Sequence, residues 1–466
     1  MLDIDVFSVA FSARSPTQLL QVVASRLPCW RNVWLSGSGF LCDAYDLFVI
    51  DLVLLILKLV AADSTDPVDP LDLSMVVGST LMGAVSGQIV IGFLADRLGR
   101  KSLFITTAAL IAIGAVGSSV AGLLTPGDWQ STCYQLAWWR FVLGVGVGGE
   151  YPLSGALTME MDTEMEFSPS EESAIRRTRL AVLFSMQGLG FVLAPATVLT
   201  LSLVFPLSYV WRLALLMGAV PPILSLPARC RMVPPEPHSE SPKAKIGLRV
   251  FLCAACWFIL DVTFYGTASF KSSIAESLEL LETGTIPAPD RTPFIIQASM
   301  FSLALSIMAL PGYYVAVVLV NTMSLISLQQ AGFILLSCSY LLLSLVSFLG
   351  PALPFATAVR FCLLGVTFFF SNLGPNPTTF IIPIEVLPHS ARATGHGICS
   401  AAGKLGGVAG SLLFGAASEY IPLDGIVLSC ALLPVIGVLL TATLAPYAHA
   451  ETVEIELANQ SAEGTC

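Results

Sequence analysis

The chain is poor in charge. Of its 466 residues only 12% are Asp, Glu, Lys or Arg, about half the share of an ordinary soluble domain. That shortage excludes a water-soluble globular fold. Histidine is scarcer still, with four in all. No set of side chains pairs a nucleophile with a base or gathers ligands at metal-site spacing, so neither an enzyme nor a cofactor is expected. Basic residues are outnumbered, 22 against 32 acids, for a net charge of −10. A nucleic-acid partner is thereby excluded. The acid is local, with Asp63, Asp66, Asp69 and Asp72 in one loop and Glu164, Glu166, Glu171 and Glu172 in another; both read as solvated loops. Short alternating segments are missing, which removes a β-barrel. The first 30 residues lack the basic, apolar and small-residue order of a cleavable leader, so the first apolar span is expected to serve as the insertion signal. Cysteine is not lacking, at eleven, but most lie in apolar runs where Cys is a small hydrophobe. Cys253 and Cys256 form a CxxC with no second ligand pair, so no redox or metal role is expected.

What the chain has is hydrophobicity: 55% apolar residues and a mean hydropathy of +0.80. Apolar runs of about 20 residues, each long enough to cross a bilayer, recur about twelve times. Expected limits are 34–60, 74–95, 102–124, 136–160, 178–205 and 208–229, then 249–270, 293–320, 328–349, 355–386, 391–418 and 424–446. The expected class is an all-α polytopic membrane protein in a lipid bilayer. Its expected segments are an N-terminal stretch 1–33, a six-helix bundle 34–230, a Pro- and Ser-rich linker 231–248, a second six-helix bundle 249–446 and a tail 447–466. Lys and Arg sort to one side: Arg97, Arg100 and Lys101 between spans 2 and 3, Arg176, Arg177 and Arg179 between 4 and 5, and Arg229, Arg231, Lys243, Lys245 and Arg249 around the linker. That side, with both termini, is expected to be cytosolic, in a plasma membrane. The halves also echo each other about 220 residues apart. SGFLCD at 38–43 echoes WFILD at 257–261, RFVLGV at 140–145 echoes RFCLLGV at 360–366, and SMQGLG at 185–190 echoes AAGKLG at 401–406. Three echoes in one order fit the parallel-repeat plan of major facilitator transporters, which hold substrate between the halves.

The polar residues inside these spans carry the functional signal. In WWRFVLGVGVGGEYPLSG, Trp138 to Gly155, an apolar run holds Arg140, Glu150, Tyr151 and four glycines. A charge at mid-helix costs at least about 2.5–3.5 kcal/mol, so these groups should face a polar path or a partner, and the glycines should let a helix or ligand approach. Arg140 and Arg360 are expected near outer helix ends, as gate or snorkelling residues. Lys271 is expected outside the core, and His389 and His396 in solvated or capping roles beside a loop.

GFLADRLGRK, Gly92 to Lys101, resembles the major facilitator loop motif. It suits a tight turn at Gly99, with Asp96 offering its carboxylate to Arg97, Arg100 or a helix N-terminus; Asp96, Arg97, Arg100 and Lys101 are the expected gating residues. The wider set GFLCDAYDLFVI, GVGVGGEYPLSG, SMQGLG, FILDVTFYG, PGYY, NLGPNPTTFIIPIEVLP and GHGICSAAGKLGG resembles the phosphate:proton symporter family over essentially the whole chain. The resemblance implies a major facilitator fold moving inorganic phosphate with protons. It implies a substrate site of Tyr151, Gln187, Trp257, Asp261, Tyr265, Asn372 and Lys404. Trp257, Asp261 and Tyr265 are spaced four apart, on one helical face; Tyr, Trp, Gln and Asn offer neutral hydrogen bonds, and Lys404 a positive charge. Asp261 would meet the anion protonated and donate to it. Asp43, Asp46, Glu150 and Asp261 are the expected proton-coupling carboxyls.

The chain departs from the family pattern after PGYY: Asn321 stands at the acidic position and Leu325 and Ile326 at basic ones, so the segment Asn321 to Ser327 is expected to lack the second half's latch. Alternative readings are a glycerophosphodiester or other organic-anion transporter of the same superfamily, or a non-transporting nutrient receptor.

Overall fold

The computed structural model describes residues 30–62, 68–159, 169–232, 247–269, 271, 291–349, 355–388, 391–415 and 423–463. Expectations at Asp63, Asp66, Glu164, Glu166, Lys243, Lys245 and His389 lie outside the described residues. Fourteen described helices run in order: α1 (Trp30–Ala61), α2 (Pro70–Leu98), α3 (Arg100–Val120), α4 (Trp129–Met159), α5 (Pro169–Ser202), α6 (Leu207–Met217), α7 (Val220–Cys230), α8 (Gly247–Ser269), α9 (Thr292–Leu319), α10 (Leu325–Leu349), α11 (Ala356–Leu373), α12 (Pro375–Val386), α13 (Arg392–Gly415) and α14 (Leu423–Glu463). In hydrocarbon a helix is the way for one segment to pair all its backbone groups, which is why the apolar runs became these elements. Every expected span coincides with a helix or a helix pair. The sixth is broken after Met217 and the tenth at Gly374, and α14 continues as helix through the expected tail to Glu463.

Nine stretches among the described residues are long and apolar enough to cross a membrane. The long helices outside that set are α1, α4 and α13. They carry Asp43, Asp46 and Asp51; Arg140 and Glu150; and His396 and Lys404. The protein is an integral multi-pass membrane protein, and these three helices carry much of its buried charge.

Glycine sets how closely these helices approach. A Cβ on Gly148 would collide with the Ala84 carbonyl, bringing α4 against α2. The SMQGLG/AAGKLG echo has a structural counterpart. Gly190 seats α5 on the Leu41 carbonyl of α1, and Gly406 seats α13 on the Phe258 carbonyl of α8. Small residues admit such backbone contact where lipid gives no hydrophobic drive between helices.

At one end, Gly99 (φ +84°) makes the turn between α2 and α3. Beside it the Asp96 carboxylate accepts from the Thr394 backbone N–H at 2.9 Å and its hydroxyl at 2.6 Å. Arg100 lies 3.8 Å from the other oxygen, and Arg97 lies over the Phe93 ring. Asp96 thus caps the first turn of α13, one of the three partners expected for it. Arg177 of α5 grips Glu385 of α12 at 2.6 and 3.1 Å. In the segment expected to lack the second latch, Asn321 donates to the Thr178 hydroxyl at 2.6 Å, a neutral contact between the end of α9 and α5. Asp96→Asn should weaken the α2–α13 contact by about 1.5–3 kcal/mol, the usual worth of a hydrogen bond to a charged group. Spin labels at the loop ends of α2 and α13 should then report a larger share of separated ends; an unchanged distance distribution would refute a latch.

Candidate functional site

Trp257, Asp261 and Tyr265 share one face of α8, as their spacing requires, and that face meets α13 and α4. The Lys404 ammonium donates to the Tyr265 hydroxyl at 2.7 Å and to Asp261 Oδ2 at 3.4 Å. It lies 4.4 Å from the Tyr265 ring centroid and 4.8 Å from that of Tyr151, a cation over two aromatic faces. Trp257 also acts on the Asp261 carboxyl and Tyr151 on the Tyr265 hydroxyl, and the Tyr151 and Trp257 rings lie 6.3 Å apart. All five side chains are 3% exposed or less. The centre therefore offers one cation, one carboxyl and three aromatic donors, shielded from bulk water. A small oxyanion accepts what these donors give.

Gln187 and Asn372 are also buried. Gln187 leaves its Oε1 without a partner. Asn372 donates to the Phe368 carbonyl at 2.8 Å and accepts from Asn376 at 2.7 Å, so its amide is oriented within α11 and α12.

Three further groups were missed by residue-level reading. Tyr313, in the PGYY run, is buried with its hydroxyl unpartnered beside the Gln187 helix, where it packs on Gly188. Gln88 is fully buried with both amide atoms unpartnered. His396 is a correction. It is 1% exposed, inside α13, with its ring 5.4 Å from Trp257 and its Nε2 3.2 Å from the Phe380 carbonyl. The sequence signal was available for all three: polar side chains within apolar spans.

The remaining carboxyls divide by partner. Glu150 is held by Arg229, Nη1 to Oε1 at 2.5 Å and Nη2 to Oε2 at 3.2 Å, and accepts from Thr107 at 2.5 Å. Arg229 also donates to the Phe104 carbonyl and to Ser225. Arg140 is a second correction. It does not lie at a helix end reaching for the interface but is fully buried. Its Nη2 donates to the Asp46 carbonyl at 2.5 Å, its Nε to Thr80 at 3.2 Å, and its Nη1 lies 4.0 Å from Asp46 Oδ1. Asp43 is fully buried with neither carboxylate oxygen hydrogen-bonded; Glu150, Asp46, Arg229 and Lys404 are the charged groups that act on it. Glu150→Gln should cost about 3–5 kcal/mol of stability, because Arg229 would be left a buried cation without its counter-ion. Thermal unfolding in detergent checks this, and a transition unmoved from the parent's would mean that Arg229 finds another anion.

Aromatic layers close the centre at both ends. Toward the Gly99 end, Phe40, Phe184 and Phe380 pack on one another with centroids 5.1–5.8 Å apart. Toward the other end Phe48 of α1, Phe191 of α5, Phe264 of α8 and Phe368 of α11 form a second layer. Lys271 is the third correction: it is fully buried against this second layer, 4.4 Å from the Phe191 centroid, rather than outside the core.

The sugar (and other) transporter family model matches residues 35–236. A rice (Oryza sativa subsp. japonica) protein named probable inorganic phosphate transporter 1-10 is 30% identical over 483 residues, covering 84% of this chain and 82% of its own length. An Arabidopsis thaliana protein named probable inorganic phosphate transporter 1-6 is 29% identical, covering 91% of this chain and 92% of its own. Among solved structures, the xylose transporter XylE from E. coli in a partially occluded inward-open conformation matches with TM-score 0.68 at 16% identity, over 91% of this chain and 98% of that one. A human organic anion transporter matches with TM-score 0.65 at 14% identity, over 89% of this chain and 100% of that one. These solved relatives fix the fold as that of major facilitator transporters rather than of enzymes. With the plant relatives similar over most of both lengths, the chain belongs to the inorganic phosphate transporter family of the major facilitator superfamily.

Proposed function

We propose that this transporter carries inorganic phosphate with protons by alternating access. In this reading two six-helix bundles, 34–230 and 249–446, rock about a site of Tyr151, Gln187, Trp257, Asp261, Tyr265, Asn372 and Lys404, with Tyr313 added. The observation that carries the reading is the buried ammonium of Lys404, held by Asp261 and Tyr265 over two ring faces. A cation kept ready in a closed, donor-rich centre suits a small, strongly charged oxyanion. The incoming anion competes with Asp261 for Lys404. A proton on Asp261 removes that competition and turns the carboxyl into a donor, so proton and phosphate enter together. Asp43, which has no partner to lose, is the second proton carrier. Glu150 serves chiefly as the counter-ion that keeps Arg229 buried beside it. The membrane is the plasma membrane, with the Gly99 end and both termini cytosolic.

The enclosure by two aromatic layers favours inorganic phosphate over a glycerophosphodiester, whose organic arm needs further room. Labelled-phosphate uptake into proteoliposomes, with and without an inward proton gradient, tests the reading. Accumulation that depends on the gradient and withstands excess glycerophosphodiester supports it. Uptake blocked by the diester alone points to an organophosphate, and binding without uptake to a receptor.

A further inference from the structure

Two lysines face each other across the outer aromatic layer, and the proposed function uses only one. Lys404 lies 4.4 Å from the Tyr265 centroid. Tyr265 stacks on Phe48 at 5.9 Å, Phe48 meets Phe191 at 4.5 Å, and Lys271 lies 4.4 Å from the far member, Phe191. Lys271 follows α8 at the end away from the Gly99 turn; at the opposite end of that helix Arg249 donates to the Val386 carbonyl. The Lys271 side chain is fully buried, and its ammonium has no hydrogen-bond partner. Asp51 of α1 is the acid that acts on it, and Phe191 gives it a ring face and no acceptor. A buried ammonium without an acceptor is expensive. An anion arriving from that end would supply the acceptors it lacks.

We propose that Lys271 is the centre of a second, outward-side oxyanion subsite, where phosphate waits behind the Phe48–Phe191–Phe264–Phe368 layer before it reaches Lys404. The subsite rests on the phosphate reading of the central site. Parting the ring layer then transfers the anion from one ammonium to the other. Asp51 opposes occupancy and hastens departure, so the subsite is a place of passage rather than of storage.

The test uses the full chain in oriented proteoliposomes, with inorganic phosphate as the probe. Initial uptake from the outward side is measured against phosphate concentration at low and high salt. Lys271→Gln should raise the outward KM about five- to tenfold, leave the maximal rate within about twofold, and flatten the salt dependence of KM, because the attraction it removes is one that salt screens. Lys271→Arg should restore both KM and its salt response. Asp51→Asn should lower the outward KM. KM measured from the inward side should not move in any of the three. An unchanged KM and salt response in Lys271→Gln would overturn the subsite. So would an Arg variant as impaired as the Gln variant, a loss confined to maximal rate, or a raised KM in Asp51→Asn, each of which marks a packing role. If the parent chain takes up no phosphate at all, it is the central reading that fails.

Discussion

Lys404→Ala is expected to abolish saturable phosphate uptake, with apparent affinity falling roughly a hundredfold or more, equivalent to two charge-assisted hydrogen bonds at about 1.5 kcal/mol each. The same change should destabilise the fold. Asp261 would lose the one cation paired with it among the described residues, and breaking a buried pair from one side costs about 3–5 kcal/mol. These two effects separate in the double variant. Lys404→Ala with Asp261→Asn removes the stranded carboxylate, so thermal stability should largely recover while transport stays lost. Calorimetric phosphate titration of both variants, beside their unfolding temperatures, makes the check. If the double variant regains binding as well, Lys404 served to neutralise Asp261 and not to hold the anion.

Asp43→Asn should behave in the opposite way. Neither oxygen of Asp43 accepts a hydrogen bond, so an isosteric amide strands no partner and thermal stability should stay within about 0.5 kcal/mol of the parent, as for a change that breaks no contact. Accumulation of phosphate against its gradient should nevertheless fall by about tenfold or more, if a proton on this carboxyl is what cancels its buried charge. Exchange of labelled for unlabelled phosphate, which needs no net proton movement, should persist. Glu150→Gln gives the contrasting pattern: its first symptom should be instability. A destabilised Asp43→Asn variant that accumulates phosphate normally would exchange the roles assigned to the two acids.

Much of this was legible because a bilayer imposes its own length scale. Runs of about 20 apolar residues announced each span, and the polar exceptions announced the centre. Trp257, Asp261 and Tyr265 could be placed together by helical spacing alone, and Lys404 came with its motif. The partners were harder to read. Arg229 lies 79 residues beyond Glu150, at the end of a helix whose basic residues look like ordinary loop charge, and no local pattern joins the two. Arg140 was misjudged for a related reason. Its span reads as though Arg140 were near an end, yet Asp46 and Thr80, on two other helices, draw it fully inside. Lys271 stands beside a run of small polar residues that resembles a loop, and only the packing of Phe191 makes it a buried cation. The break at Gly374 was also invisible by hydropathy, since α11 and α12 together remain one apolar stretch.

In each of three buried ion pairs synthesis makes the acid first. Asp46 precedes Arg140 by 94 residues, Glu150 precedes Arg229 by 79, and Asp261 precedes Lys404 by 143. Chains are made from the N-terminus at about 5–20 residues per second, so each acid waits for several seconds before its cation is translated. The nascent protein therefore passes through three intervals in which one span carries an unmatched carboxyl, and the longest belongs to Asp261. Variants that remove Arg140, Arg229 or Lys404 make such an interval permanent, so their first loss should be in biogenesis, before any defect in the finished carrier is measured.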